Sequence, residues 1–511
     1  MPRTRMQNAR KNISGAMLNR VVALLSTFVT RTVIISLMGT MYAGLSSLFS
    51  AVLQILSLAE LGFGSAMVFS MYKPIAQGNT DEVNALLNLY KRIYRIIGLA
   101  VLAIGLAFIP ALPVMIRDEV PPDINLYALY LINLANTVLS YSLFAYRSSI
   151  LSADQRSHIS SLMEAAATMI SNLAQILIIV LTRNFYLFFL VLPVITACRN
   201  ICTHVVTRRL YPQYCCRGQV PPETVLNIKK RVAGLFVYKV CQIFRHSFDS
   251  IIISAWLGLK VLTQYGNYYY IMSAVSEMTG VITRSLTASV GHSMVTETPE
   301  KNYRDFQAIQ LLYMWICVFC TTCLYCLYQP FMRLWMGDAL MFEPTVMALF
   351  CAYFFTSKMG DLCYTYRQAA GLWWQDRIRP VVEAAGNLVL NILLVQVIGV
   401  HGVLLSTIIC LVTVNAVWGS RILFRHYFAG LGHGGYLLRM LFYAAAAVLC
   451  CAVTSALCGL IELEGVAELA CRLAICLIVP NLMIPMLYRW LPEFSDAKAL
   501  ALRVLHLKTK G

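Results

Sequence analysis

Apolar residues dominate the chain in long runs, which are interrupted by short polar and basic segments. A helix needs about 20 apolar residues to cross the roughly 30 Å hydrocarbon core of a bilayer. Fourteen runs approach or exceed that length, and short loops separate most of them. They lie near 15–38, 43–70, 93–116, 124–147, 158–181, 185–206, 233–257, 265–290, 307–331, 344–366, 379–399, 402–424, 436–460 and 467–489. The pattern predicts an all-α polytopic membrane protein with about 14 transmembrane helices.

Composition agrees with this pattern. Of 511 residues, 59% are hydrophobic and only 13% are charged, and the mean hydropathy is +0.67. Ordinary soluble domains carry about 25% charged residues. A soluble globular protein of this length is therefore excluded.

The net charge of +17 reflects where the basic residues lie. Most Lys and Arg fall in segments that the span pattern places on one side, whereas the other side carries Arg117, Arg183, Lys260 and Arg333. Cytoplasmic loops of membrane proteins are enriched in Lys and Arg. We therefore expect both termini in the cytoplasm, and the charge requires no nucleic-acid partner.

An internal repeat divides the chain. Glu164 and Glu383 lie in similar segments at an offset of 219 residues, which spans six predicted helices. Because six is an even number, both copies enter the membrane from the same side and form parallel repeats. We predict an N-lobe with helices 1–6, a C-lobe with helices 7–12, and a segment with helices 13–14 and a cytoplasmic tail. Their bounds are 1–214, 215–430 and 431–511.

Several predicted spans contain ionisable residues, which are costly in a membrane and mark functional sites. The site candidates among them are Arg20, Arg31, Glu60, Arg245, Asp249, Glu277, Arg284, Lys358 and Asp361. The guanidinium fork of arginine matches phosphate oxygens. We therefore predict that Arg31, Arg245 and Arg284 bind an anionic substrate headgroup.

The carboxylates have a second potential role. Glu60, Asp249 and Glu277 are candidates for cavity carboxylates or for coupling transport to Na+ or H+. Arg20, Lys358 and Asp361 are secondary polar candidates. The simpler alternative is that Lys358 and Asp361, like Arg245 and Asp249, form internal ion pairs within one helix, and that Arg20 extends to the membrane interface.

Cysteines and loops give no sign of a cofactor or a catalytic centre. Cys317, Cys320, Cys323 and Cys326 are spaced by three residues. Each such step turns a helical side chain by about 60°, so the four do not converge on a metal. We predict no metal site, and the chain lacks a Walker motif for ATP. The predicted outer loops are short, which disfavours a membrane glycosyltransferase or polymerase.

Two stretches resemble a known family. Residues 31–76 contain R-T-x-I-I, Y-x-G-L, L-x-L-A-E-L-G-x-G and M-Y-K-P, and residues 369–391 read AAGLWWQDRIRPVVEAAGNLVLN. This layout resembles bacterial polysaccharide flippases of the multidrug/oligosaccharidyl-lipid/polysaccharide exporter superfamily. The resemblance implies MATE-like, V-shaped lobes and a location in the bacterial cytoplasmic membrane.

The implied function is movement of undecaprenyl-diphosphate-linked oligosaccharide units from the cytoplasmic to the outer leaflet by alternating access. The implied partners are the polyprenyl-linked oligosaccharide, membrane lipid and other polysaccharide-assembly membrane proteins. A multidrug/cation antiporter of the same superfamily is an alternative, but such exporters commonly place a carboxylate on the first helix, where this chain has Arg20 and Arg31. A peptidoglycan lipid-precursor flippase would share all of this chemistry and stays open.

Overall fold

The fold of this chain is all helical in the computed structural model. The residues that the structure describes contain no β-strand. They are 5–56, 63–117, 120–154, 156–223, 225, 241, 243–244, 247–372 and 374–504.

The chain divides into two compact units, Met1–Thr263 and Gln264–Gly511. The boundary between these units, after Thr263, differs from the predicted boundary between the two six-helix lobes, after residue 214. The lobes follow from the sequence repeat and stay a prediction. The helices of the first unit are α1 (Arg5–Leu37), α2 (Thr40–Leu56), α3 (Phe63–Gln77), α4 (Thr80–Ala107), α5 (Leu126–Ser142), α6 (Ser148–Ala153), α7 (Ser157–Thr182), α8 (Phe185–Leu210) and α9 (Ser247–Leu257).

Helix α10 (Leu259–Thr296) begins in the first unit and continues into the second. A π-helical segment, Leu411–Trp418, joins α15 to α16. The remaining helices are α11 (Pro299–Met336), α12 (Pro344–Met359), α13 (Asp361–Ala369), α14 (Arg379–Ile398), α15 (Val400–Cys410), α16 (Gly419–His426), α17 (His433–Cys458), α18 (Gly465–Tyr488) and α19 (Phe494–Val504).

Asparagine side chains start several helices of the first unit. Asn79, Asn125 and Asn184 precede α4, α5 and α8, and each side chain accepts hydrogen bonds from main-chain N–H groups of the first turn. The first N–H groups of a helix have no partner within the helix, so such a cap stabilises it by about 1 kcal/mol. These caps fix where the apolar helices begin.

Polar side chains join neighbouring helices of the first unit. Thr30 on α1 donates to Asn172 on α7, and the side chain of Gln175 donates to the main-chain oxygen of Phe188 on α8 at 3.1 Å. Asn172 and Gln175 of α7 therefore make hydrogen bonds to the helices on either side. In the second unit, Asn387 on α14 donates to Thr407 on α15 at 2.9 Å in the same way.

Helix α11 is central in the second unit. It packs against α12, α17, α18 and α19. Phe306, near its start, contacts the rings of Tyr366, Phe424, Phe428 and Tyr436. Buried aromatic side chains contribute a large apolar area and prefer tilted or edge-to-face contacts, so this cluster forms the core at that end of the unit.

The outward faces of the helices are apolar. Leu173, Leu181, Val397, Leu441 and Leu482 are exposed on α7, α14, α17 and α18. Exposed apolar surface of this extent marks contact with a membrane or a partner. Eight helices of the described residues are long and apolar enough to cross a membrane, and up to ten spans result if each of two bent pairs counts as one.

These observations make the chain a multi-pass membrane protein. That the chain has fourteen spans, and that both termini lie in the cytoplasm, stay predictions. Three shorter apolar helices also occur among the described residues, at Leu25–Leu37, Thr40–Ile55 and Ser247–Leu257.

Helices α1 and α9, which lie at equivalent positions of the sequence repeat, end in the same way. Gly39 follows α1 with φ of 104°, and Gly258 follows α9 with φ of 91°. The amide of Gly39 donates to the oxygen of Ile34 at 3.1 Å, and that of Gly258 donates to the oxygen of Ile253 at 3.0 Å. Glycine adopts this left-handed conformation without steric cost. Both turns lie at the repeat offset of 219 residues.

Candidate functional site

Arg31, on α1, connects α2 with the first turns of α10, all within the first unit. Its Nη1 donates to Ser47 Oγ on α2 at 3.1 Å, and its Nη2 donates to the main-chain oxygen of Thr263 on α10 at 3.0 Å. The planar guanidinium presents donors in a fixed fork, so it can reach both acceptors at once. Arg31 therefore has a structural role in addition to its predicted role in headgroup binding.

The contact between α2 and the start of α10 is close. Thr263 Oγ1 donates to the main-chain oxygen of Thr40 at 2.7 Å. Gly44 faces Leu259, and a Cβ at that glycine would lie 2.6 Å from the Leu259 oxygen. Glycine is required where two backbones approach this closely.

Asp249 lies on α9 in the same unit and is fully buried. Two positions earlier, Ser247 Oγ donates to Gln54 Oε1 on α2 at 3.5 Å. A buried carboxylate is costly unless it is paired or hydrogen-bonded. The role of Asp249 in cation coupling stays a prediction.

Glu277 and Arg284 form an ion pair on α10. Arg284 Nη2 lies 3.6 Å from Glu277 Oε2, and the side chains of Arg284 and Glu277 are 63% and 45% exposed, respectively. Gly280 lies between them and faces the guanidinium, because a Cβ at that glycine would lie 3.3 Å from Arg284 Nη1. Exposed ion pairs contribute little stability. Arg284 is therefore accessible to a ligand at small structural cost.

Lys358 and Asp361 form a second pair, in which Nζ lies 3.2 Å from Oδ2. Tyr313 Oη on α11 donates to the same carboxylate oxygen at 2.7 Å. The ammonium also donates to the main-chain oxygen of Ser276 on α10 at 3.4 Å. Lys358 is buried, and these contacts satisfy its charge while joining α10, α11, α12 and α13.

The second repeat contains a buried charge network. Arg379 binds Asp376 through Nε at 2.6 Å and Nη2 at 3.1 Å, and it binds Glu383 through Nη1 at 2.8 Å. Arg367 adds a contact of 3.4 Å to Asp376. Two cations and two anions balance, as a buried network requires.

The corresponding acid of the first repeat has different partners. Glu164 on α7 receives a hydrogen bond from Asn19 on α1 at 3.2 Å and lies 3.8 Å from Arg199 on α8. Outside the helices, Tyr211 donates to Asp154 at 2.6 Å. Burial, together with that carboxylate, raises the pKa of Tyr211 well above its usual value.

A polar cavity of about 330 Å³ opens beside Glu164 and Arg199. Ser160 Oγ is buried there and has no hydrogen-bond partner among the described residues. Hydroxyl, amide and charged groups can all bind a sugar or a headgroup. The polar lining includes Ser140, Ser152, Ser160, Glu164, Arg199 and Asn200.

The structure pairs Glu277 with Arg284 within α10. It also pairs Lys358 with Asp361, as their i,i+3 spacing predicts, but across the break between α12 and α13 and not within one helix. Glu60 and Arg245 lie outside the described residues, and so does the side chain of Arg20. Sequence reasoning missed Tyr313 and Arg199. An arginine in an apolar run was the available signal for Arg199, whereas nothing along the chain indicated the contact of Tyr313 with Asp361.

Fold and charges together define a multi-pass helical membrane protein whose spans contain hydrogen-bonded ion pairs. No protein-family model matches the chain, and no curated protein matches it. Solved structures do match. The lipid II flippase MurJ, in an inward closed conformation, aligns with a TM-score of 0.65 and 14% identity over 94% of this chain and 98% of its own.

Two multidrug transporters also align with the chain. An inward-facing MATE family transporter of the MOP superfamily gives a TM-score of 0.62 and 13% identity over 80% of this chain and 98% of its own. The Vibrio cholerae MATE transporter VcmN, as a point mutant, gives a TM-score of 0.55 and 12% identity over 83% of this chain and 99% of its own. The chain therefore has the fold that these transporters share.

Proposed function

We propose that this protein is a flippase that moves undecaprenyl-diphosphate-linked oligosaccharide units from the cytoplasmic to the outer leaflet by alternating access. The extent of the fold match carries this proposal. The lipid II flippase covers 94% of the chain and the first MATE transporter 80%. Further MATE transporters cover 83% to 86% of the chain, so the lipid II flippase aligns with more of the chain than each of them does.

The segment from His433 to Tyr488 contains α17 and α18, which have no counterpart in the predicted six-helix repeat. The additional helices support a lipid flippase over a MATE-type drug antiporter. They fit a substrate with a long isoprenoid tail, which needs apolar surface beside the headgroup pathway.

The headgroup chemistry supports an anionic substrate. Arg284 is 63% exposed and can exchange Glu277 for a phosphate oxygen. Arg31 and Arg245 complete the proposed set of cations. Within α1, the described charged residues include Arg31 and no Asp or Glu, which disfavours binding of a cationic drug at that helix.

A flippase for the peptidoglycan lipid precursor is a second candidate, because the match over 94% of the chain is to a lipid II flippase. Both substrates carry a polyprenyl diphosphate and differ in the sugar. Within either function, we propose Glu60, Asp249 and Glu277 as groups that couple transport to Na+ or H+. We also propose a location in the bacterial cytoplasmic membrane and contact with other polysaccharide-assembly membrane proteins.

Ligand-induced stabilisation tests the substrate class. Undecaprenyl diphosphate, undecaprenol and a cationic dye are added separately to purified protein, and the Tm is measured. We expect the diphosphate to raise the Tm because a ligand that binds only the folded state stabilises it. Undecaprenol should have a smaller effect. Stabilisation by the dye and not by the diphosphate would contradict the proposal and favour the drug antiporter.

A further inference from the structure

Cysteines from three helices meet inside the second unit. Cys326 on α11, Cys458 on α17 and Cys476 on α18 are all buried, and their Sγ atoms lie within 4.8 Å of one another. Cys323, one turn before Cys326, packs against this cluster. The spacing argument that separates the four cysteines of α11 does not apply to thiols from different helices.

The thiol separations are close to those of a metal centre. Zinc–sulfur bonds are about 2.3 Å long, so thiolates around one tetrahedral or trigonal zinc lie about 3.8 to 4.0 Å apart. A closure of less than about 1 Å would bring the three Sγ atoms to that distance. We propose that Cys326, Cys458 and Cys476 form a site for a thiophilic divalent d10 cation, Zn2+, with Cys323 as the candidate fourth ligand.

Charge favours a divalent over a monovalent ion. With three thiolates the net charge is about −1 for Zn2+ and about −2 for Cu+, and with Cys323 as a fourth thiolate it is about −2 and −3, respectively. Burying the larger charge costs more. Arg472 lies one turn before Cys476 and interacts electrostatically with both Cys458 and Cys476.

Arg472 is held beside the site by an ion pair. Arg472 Nη2 pairs with Glu468 Oε1 at 2.9 Å, whereas its Nε is buried without a hydrogen-bond partner among the described residues. A guanidinium held in this position provides positive charge beside the sulfur atoms. On binding, each ligating thiol releases its proton to solvent and forms one sulfur–metal bond, without any change of oxidation state.

The consequence of this site is a cross-link. Helices α17 and α18 would be tied to α11, the central helix of the second unit. Metal binding to a folded protein adds to its stability. None of its residues belongs to the proposed headgroup set, so zinc binding can be tested separately from headgroup binding.

Metal titration of the full-length protein tests the site. The protein is purified in detergent, treated with a chelator, and titrated with ZnCl2 and with CdCl2. Cadmium reports thiolate ligation through its ultraviolet charge-transfer band. We expect one tightly bound ion per chain and a higher Tm with Zn2+.

Serine variants assign the ligands. Cys458→Ser and Cys476→Ser should each weaken Zn2+ binding at least about tenfold and remove the Tm shift. Cys471→Ser is the matched control, because Cys471 is exposed on the same helix, α18. It should bind like the wild type.

Two results would overturn the site. One is equal zinc binding by the wild type and the cluster variants, which would mean binding elsewhere, for example at histidines. The other is wild-type protein that binds Cd2+ without a thiolate charge-transfer band. This second measurement needs no variant, so it decides the matter even if a serine substitution prevents folding.

Discussion

Arg31 donates a hydrogen bond to the main-chain oxygen of Thr263 at 3.0 Å, although 232 residues separate the two along the chain. The same guanidinium binds Ser47 at 3.1 Å. The arginine with which α1 was expected to bind a substrate thus also holds α2 and α10 in place. We therefore expect both the stability of the protein and its proposed transport to depend on this residue.

Replacement of Arg31 should destabilise the protein. A hydrogen bond to a charged group contributes about 1.5–3 kcal/mol, so we expect Arg31→Ala to lower the free energy of unfolding by about that amount. The free energy of unfolding of Arg31→Lys should lie between those of the wild type and Arg31→Ala, because an ammonium keeps the charge but lacks the fork of donors. Thermal unfolding in detergent measures both. Wild-type stability of Arg31→Ala would show that the contacts to Ser47 and Thr263 are unimportant.

Gly44→Ala tests the contact between α2 and α10. The new methyl group would lie 2.6 Å from the Leu259 oxygen, so the helices must move apart. We expect a loss of about 1–3 kcal/mol, typical of overpacking. Gly434→Ala is the control because a Cβ there meets nothing within 4 Å, and alanine is the better helix former. Equal Tm values for the two variants would contradict the close approach.

Asp376→Asn should disrupt the charge network of the second repeat. It leaves the buried guanidinium groups of Arg367 and Arg379 with one carboxylate, Glu383, and breaking a buried pair costs about 3–5 kcal/mol. Asp338→Asn is the matched control, because Asp338 pairs with Arg333 while 80% exposed. We expect the control to change stability by less than about 0.5 kcal/mol. Stability is measured by chemical or thermal unfolding. An equal loss of stability in the two variants would argue against a buried network.

Arg284→Ala should leave stability nearly unchanged. Its ion pair with Glu277 is exposed, and such pairs contribute about 0–1 kcal/mol. The Tm should therefore stay close to that of the wild type. A large decrease in Tm would mean that Arg284 is structural, and transport defects of this variant could then not be assigned to substrate binding.

Periodicity along one helix predicted the local features of this protein well. The i,i+3 spacing of Lys358 and Asp361 predicted their ion pair, although α12 ends at Met359 and α13 begins at Asp361. Apolar run length predicted the membrane class for the same reason, since span length depends only on bilayer thickness.

Contacts between distant helices could not be predicted in this way. Tyr313 donates to Asp361 from another helix, and Cys458 and Cys476 approach Cys326 from two others. Periodicity indicates which face of a helix is buried, but not which helix covers that face. The spacing of the α11 cysteines therefore predicts no metal site, because it carries no information about thiols on other helices.

Translocation in proteoliposomes tests the proposed function most directly. A fluorescent undecaprenyl-diphosphate oligosaccharide is followed as it moves between leaflets, with wild type, Arg284→Ala and Arg333→Ala measured at equal amounts of folded protein. Arg333 is the control because it is 57% exposed and pairs with Asp338, outside the proposed headgroup set.

We expect transport by the wild type and by Arg333→Ala. Arg284→Ala should be about tenfold slower, which corresponds to the loss of one charge-assisted hydrogen bond of about 1.5 kcal/mol. Undiminished transport by Arg284→Ala would refute its role in headgroup binding. A wild-type protein that leaves the lipid in place but exports a cationic dye in exchange for protons would contradict the flippase itself.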